Sequence, residues 1–180
     1  MTRYLPWFDA PRVDPAAGRP SFGQGVDESM PFSTDDKERA MRFMIMVRAN
    51  AVSESGALPD DRLVEAMTVY HEELAKAGVL LDATGLQPSA QGWRVRYTRG
   101  KGTVIDGPFA ETKELIAGYT LIQVRSREEA LEWTRRFPAP FGAEMDAEIE
   151  VRPLLELDDL TPSDAVERFR DIQAGLGHAV

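Results

Sequence analysis

Residues 93–124 read WRVRYTRGKGTVIDGPFAETKELIAGYTLIQV. Trp93, Val95 and Tyr97 alternate with Arg94, Arg96 and Thr98, the period of two of a strand with one apolar face. Arg99-Gly100-Lys101-Gly102 reads as a turn, and Thr103-Val104-Ile105 as the returning strand of a hairpin. The polar run Asp106-Gly107-Pro108-Phe109-Ala110-Glu111-Thr112-Lys113-Glu114 follows, and Tyr119 to Val124 is a second apolar strand. The pattern predicts a hairpin with one buried face, a loop, and a further strand, which suits an antiparallel sheet.

Upstream, Arg42-Phe43-Met44-Ile45-Met46-Val47 is nearly all apolar, as expected of a strand buried on both faces. Ala49 to Ala57 reads as a loop. Pro59-Asp60-Asp61 opens a helix with acids at its positive end. Its buried stripe is Leu63, Met67, Tyr70, Leu74 and Ala77, and Gly78 stops it. Val79-Leu80-Leu81 leads into a strand region ending near Pro88. Downstream, Ser126 and Glu129 form a capping box for a helix carrying Ala130, Leu131 and Trp133, ending before Pro138. Ile149 and Val151 alternate with charges in a final strand. Thr161 as N-cap and Pro162 at the first position begin a last amphipathic helix with Val166, Phe169, Ile172 and Leu176 on one stripe.

The order strand, helix, strand, hairpin, strand, helix, strand predicts an α+β fold of the ferredoxin-like kind, with two helices on one face of an antiparallel sheet. The strands are too apolar to leave the other face wet. A second copy is its expected cover, which makes the assembly a dimeric α/β barrel. The domains expected are residues 1–40, a Pro-rich extended arm; 41–157, the ferredoxin-like domain; and 158–180, a helix and tail. The arm holds five of the twelve prolines, yet also Tyr4, Trp7, Phe8, Phe22 and Phe32. Both a docked arm and a disordered extension fit that composition.

The net charge is −9, and each of the three regions is mildly acidic. A phosphate-tracking surface needs concentrated Lys and Arg, so no direct nucleic-acid partner is expected. With no cysteine, thiolate metal sites and thiol nucleophiles are excluded, and no cofactor or metal is expected. No apolar run approaches ~18 residues, so the chain is expected to be soluble and cytoplasmic, without a membrane partner.

Val104 to Tyr119, VIDGPFAETKELIAGY, resembles the DGPF-type branch of the YCII-related proteins. The resemblance runs from Met41 to about Leu155. It takes in Ala77-Gly78-Val79-Leu80-Leu81, Gly85-Leu86-Gln87-Pro88 and Glu150-Val151-Arg152-Pro153. Residues 158–176 resemble a C-terminal extension of longer members. The resemblance implies a ferredoxin-like domain that dimerises through its sheet. It also implies a ligand cleft lined by the motif, here Gly107, Pro108, Phe109, Glu111 and Lys113. Members are often encoded beside sigma factors of the extracytoplasmic type, which implies a regulatory link. Relatives in the wider group carry a His–Asp pair in a cleft.

Asp106 is the candidate general base, and the alternative is a carboxylate that shapes the Gly-Pro turn. His71 is the candidate partner of Asp106 in an acid–base dyad, although the wider group's histidine falls earlier on the helix, where Ala66 and Met67 stand here. His178 lies in the tail. Arg94 and Arg96 are expected either to bind a carboxylate or to pair with Glu148 and Glu150 across the sheet. Two functions follow. One is a dimeric small-molecule-binding or regulatory module. The other is a small cofactor-independent enzyme of hydrolase, isomerase or lyase type.

Overall fold

The computed structural model describes residues 40–111 and 114–175; expectations for the N-terminal arm, Lys113 and His178 lie outside them. The elements run β1 (Met41–Arg48), α1 (Ala51–Glu54), α2 (Asp61–Lys76), β2 (Leu80–Gly85), β3 (Trp93–Thr98), β4 (Lys101–Asp106), β5 (Ile116–Val124), α3 (Arg127–Arg135), β6 (Ile149–Pro153) and α4 (Asp164–Gly175).

Four strands form one antiparallel sheet in the order β2-β5-β1-β6. Phe43 and Ile45 of β1 share a face with Ile122 and Val124 of β5. These pack against Tyr70 and Leu74 of α2 and Ala130 of α3. Ile45, Leu74 and Ile122 are fully enclosed; each contributes about 1.5–3 kcal/mol by leaving water. Met44 and Met46 point to the opposite face and are half-buried.

The helix ends follow their sequence signals. Asp60 caps α2 by accepting from the Leu63 amide at 2.8 Å, and Ser126 caps α3 by accepting from the Glu129 amide at 3.2 Å. The Glu129 carboxylate accepts from the Arg125 amide, and that bond, with help from the Arg125 side chain, holds its pKa below the ordinary value. Gly78 takes φ +72 just past α2, as a left-handed stop requires. The last helix departs from expectation. Its capping oxygen is that of Ser163, which accepts from the Val166 amide at 3.3 Å, so α4 starts two residues later than Thr161 and Pro162 suggest. Either hydroxyl can cap, and sequence does not choose between them. The segment before α4 is pinned by Arg42, whose guanidinium donates to both Glu156 oxygens at 2.9 and 2.5 Å, and by Arg170 on Asp158 at 2.8 Å.

The hairpin is where the expectation of burial fails. β3 and β4 pair only with each other and form a separate two-stranded sheet. Trp93 is 67%, Tyr97 74% and Val104 62% exposed. Alternation marks an apolar face, but no helix among the described residues lies over it. The ion pairs expected across the sheet fail for the same reason. Glu150 lies on β6 in the other sheet, where Arg48 reaches it at 3.2 Å. The six strands do not close into a barrel within the chain.

Candidate functional site

The polar run after β4 is held by residues that lie far off in sequence. The Gly107 amide donates to the Gly92 carbonyl at 3.0 Å. A Cβ on Gly107 would sit 1.9 Å from the Ser89 carbonyl oxygen, so only glycine allows this approach. The Gly107–Pro108 peptide is cis. Ser89 then makes the central contacts. Its hydroxyl accepts from the Phe109 amide at 3.1 Å and donates to Glu54 at 2.5 Å. Its own amide donates to the same carboxylate at 3.1 Å. The Phe109 ring carries the Arg94 guanidinium 4.0 Å from its centroid, a cation–π contact.

Glu54 is the last residue of α1, a single turn within the stretch read as a loop. Asn50 starts the turn: its side chain accepts from Val52 and Ser53 at 2.9 and 3.0 Å, while Ser53 Oγ accepts from the Asn50 amide at 3.0 Å. The sequence signal for this turn, Asn50 followed three residues on by Ser53, is a capping motif. No sequence signal marked Ser89 as its partner.

Beside this clamp opens a cleft of about 260 Å³ lined by Glu54, Leu86, Gln87, Ser89, Phe109, Glu114, Leu115 and Ile116. Leu86, Phe109, Leu115 and Ile116 make apolar walls, and Glu54, Gln87, Ser89 and Glu114 make a polar edge. Of the motif residues expected to bind a ligand, Phe109 lines the cleft. Gly107 packs behind it on Ser89, Pro108 and Glu111 are exposed, and Lys113 is outside the described residues.

The two residues expected to form a dyad have different surroundings. Asp106 ends β4 directly opposite Trp93; it is exposed and does not line the cleft. Among the described residues its carboxylate makes no hydrogen bond, and the turn-shaping acceptor is Ser89 instead. His71 sits between α2 and the sheet. Its Nδ1 lies 2.8 Å from the Met67 carbonyl, which can only accept, so Nδ1 carries the proton. Its Nε2 lies 2.8 Å from Oγ1 of Thr120, which is buried. Both ring nitrogens are thus spent on joining α2 to β5, and no hydrogen bond among the described residues links His71 to Asp106. The neighbouring Tyr70 hydroxyl donates to the Trp133 carbonyl at 3.2 Å. Burial pushes that phenol up to about 12, against the opposing charge of Arg136.

No group of three or more metal-ligating side chains occurs among the described residues. None of their helices is long and apolar enough to cross a membrane. The profile of the YCII-related domain matches residues 41–157. An uncharacterised protein of Rhizobium meliloti (strain 1021) is 36% identical over 76 residues, which are 42% of this chain. The match spans 61% of that relative's length.

Proposed function

Since the chain belongs to the YCII-related family, we propose that it is a small-molecule-binding or regulatory module of the DGPF type, acting as a dimer. The cleft beside the Ser89–Glu54 clamp is the observation that carries this reading. Its volume of about 260 Å³ lies just under the roughly 300–1,000 Å³ of pockets for drug-sized ligands, so it suits a small metabolite. Apolar walls would take the body of the molecule, and Glu54, Gln87, Ser89 and Glu114 would orient its polar groups. The strand order β2-β5-β1-β6 supports a ferredoxin-like arrangement with the β3–β4 hairpin inserted. A second copy against the half-buried Met44 and Met46 face would complete the sheet's cover and make the dimeric barrel.

The enzymatic alternative, with Asp106 as general base, has less support. A base needs a second polar group within reach and a cleft for the proton donor, and Asp106 has neither among the described residues.

Native mass spectrometry of the purified full chain, followed by thermal-shift screening with small polar-apolar metabolites, tests the binding reading. A bound mass or a stabilising compound is expected for the unsubstituted chain and lost in Leu86→Trp, which fills the cleft. A ligand at 100 times its Kd adds about 2.7 kcal/mol of apparent stability, an easily read shift. Ligands that stabilise both proteins equally would move the site elsewhere.

A further inference from the structure

We infer that the apolar face of the β3–β4 hairpin docks on a second copy of this chain, at the start of α2. This contact is separate from the sheet-to-sheet contact proposed above, and either can stand without the other. The direct register pairs Val95 with Val104, Tyr97 with Gly102 and Trp93 with Asp106, so Trp93, Val95, Tyr97 and Val104 share one face of a two-stranded ribbon. All four are exposed. A lone two-stranded hairpin is marginal in water and gains stability when its apolar face is packed. Trp and Tyr side chains anchored on an exposed face are the residues most enriched at interface centres.

Charge selects the occupant. Residues 93–106 hold four cations, Arg94, Arg96, Arg99 and Lys101, and one acid, Asp106, a net of +3. The whole chain is −9, so the remainder carries −12. None of these four cations forms an ion pair among the described residues, and Arg94 instead lies over Phe109. The ribbon is therefore a basic, aromatic projection on an acidic molecule, and another copy presents the complementary surface. At the start of α2, Leu58 is 91% exposed and Val64 49%. Asp61, Val64 and Glu65 lie three and four residues apart, on one helix face, with Asp60 beside them. An apolar seat edged by carboxylates matches an apolar ribbon edged by guanidinium groups. In a two-fold dimer the contact would occur twice.

Sedimentation of the full-length chain over a concentration series, at low and high salt, tests this. The expected results are salt-weakened self-association and a dissociation constant raised at least tenfold in the double variant Trp93→Ser/Tyr97→Ser. These two side chains touch solvent, so the variant keeps the fold, as circular dichroism would verify. Arg96→Glu should weaken association similarly, and combining it with Glu65→Arg should restore part of it. Self-association of the double variant equal to that of the unsubstituted chain would overturn the inference. So would a chain that stays monomeric throughout, as when residues 1–39 cover the ribbon within one molecule. Loss on Met46→Glu alone, with the hairpin variants unaffected, would leave the sheet contact standing and remove this one. A single-stranded oligonucleotide bound through Trp93 and Tyr97, with association unchanged in the variants, would assign the ribbon to nucleic acid and also overturn it.

Discussion

β5 and β3 carry the same kind of alternation and meet opposite fates. In β5, Thr120, Ile122 and Val124 turn inward and are buried beneath the helices. In β3, Trp93, Val95 and Tyr97 form an equally regular apolar row, and all are exposed. The difference lies in what each strand pairs with. β5 is a central strand between β2 and β1, with α2 and α3 over it, whereas β3 has only β4. Alternation therefore reports which face is apolar and says nothing about what covers it. A covered row stabilises the fold; an uncovered row is a surface waiting for a partner.

That contrast can be broken by substitution, and the largest effect is expected at the sheet. Ile45→Ala removes a fully enclosed side chain and should cost about 3–4 kcal/mol, read by urea denaturation. Trp93→Ser in the hairpin should change stability by less than about 0.5 kcal/mol at concentrations where the chain is monomeric. A comparable loss in both would show the hairpin face to be covered within the molecule.

Next comes the junction between the two regions. Gly107→Ala would set a methyl 1.9 Å from the Ser89 carbonyl oxygen, against backbone that cannot rotate away. A loss of about 2–3 kcal/mol is expected, together with weaker ligand binding at the cleft, because Phe109 moves with the turn. Unchanged stability would mean that the run is not clamped on Ser89.

The smallest effect concerns pH. The buried Tyr70 phenol keeps its proton until pH about 12, whereas its ordinary pKa is 10.0. The folded state therefore binds a proton that the unfolded state has lost. This contribution is fully present below pH 10 and disappears as pH rises through 12. After discounting for solvent screening it amounts to about 1–2 kcal/mol. Tyr70→Phe should flatten the fall in stability across that window, measured by denaturation at stepped alkaline pH. An unchanged fall would place the responsible group outside the helix–sheet core.

Much of the framework was legible residue by residue. Phe43 and Ile45, the Leu63-Met67-Tyr70-Leu74 stripe, the Asp60 and Ser126 caps and the Arg99–Gly102 turn are local patterns whose cause lies within a few positions of the chain. The candidate site was legible only in its label. The motif led to Phe109 and Gly107, but Asp106 and His71, the residues that looked most chemical, turned out exposed and structurally spent, respectively. Glu54 and Ser89, which hold the motif, escaped notice because a lone Glu and a lone Ser carry no pattern.

Sequence by itself determined the element order, most helix ends, the acidic character and the apolar face of every strand, because each depends on neighbours along the chain. Tertiary structure alone decided that the hairpin stands apart from the main sheet and that His71 spends both nitrogens on Met67 and Thr120. It alone joined residues 54, 89 and 109 into one clamp. The separations there are 35 and 20 residues. Contacts at that range exist only once loops have closed and sheets have packed, which no local periodicity encodes.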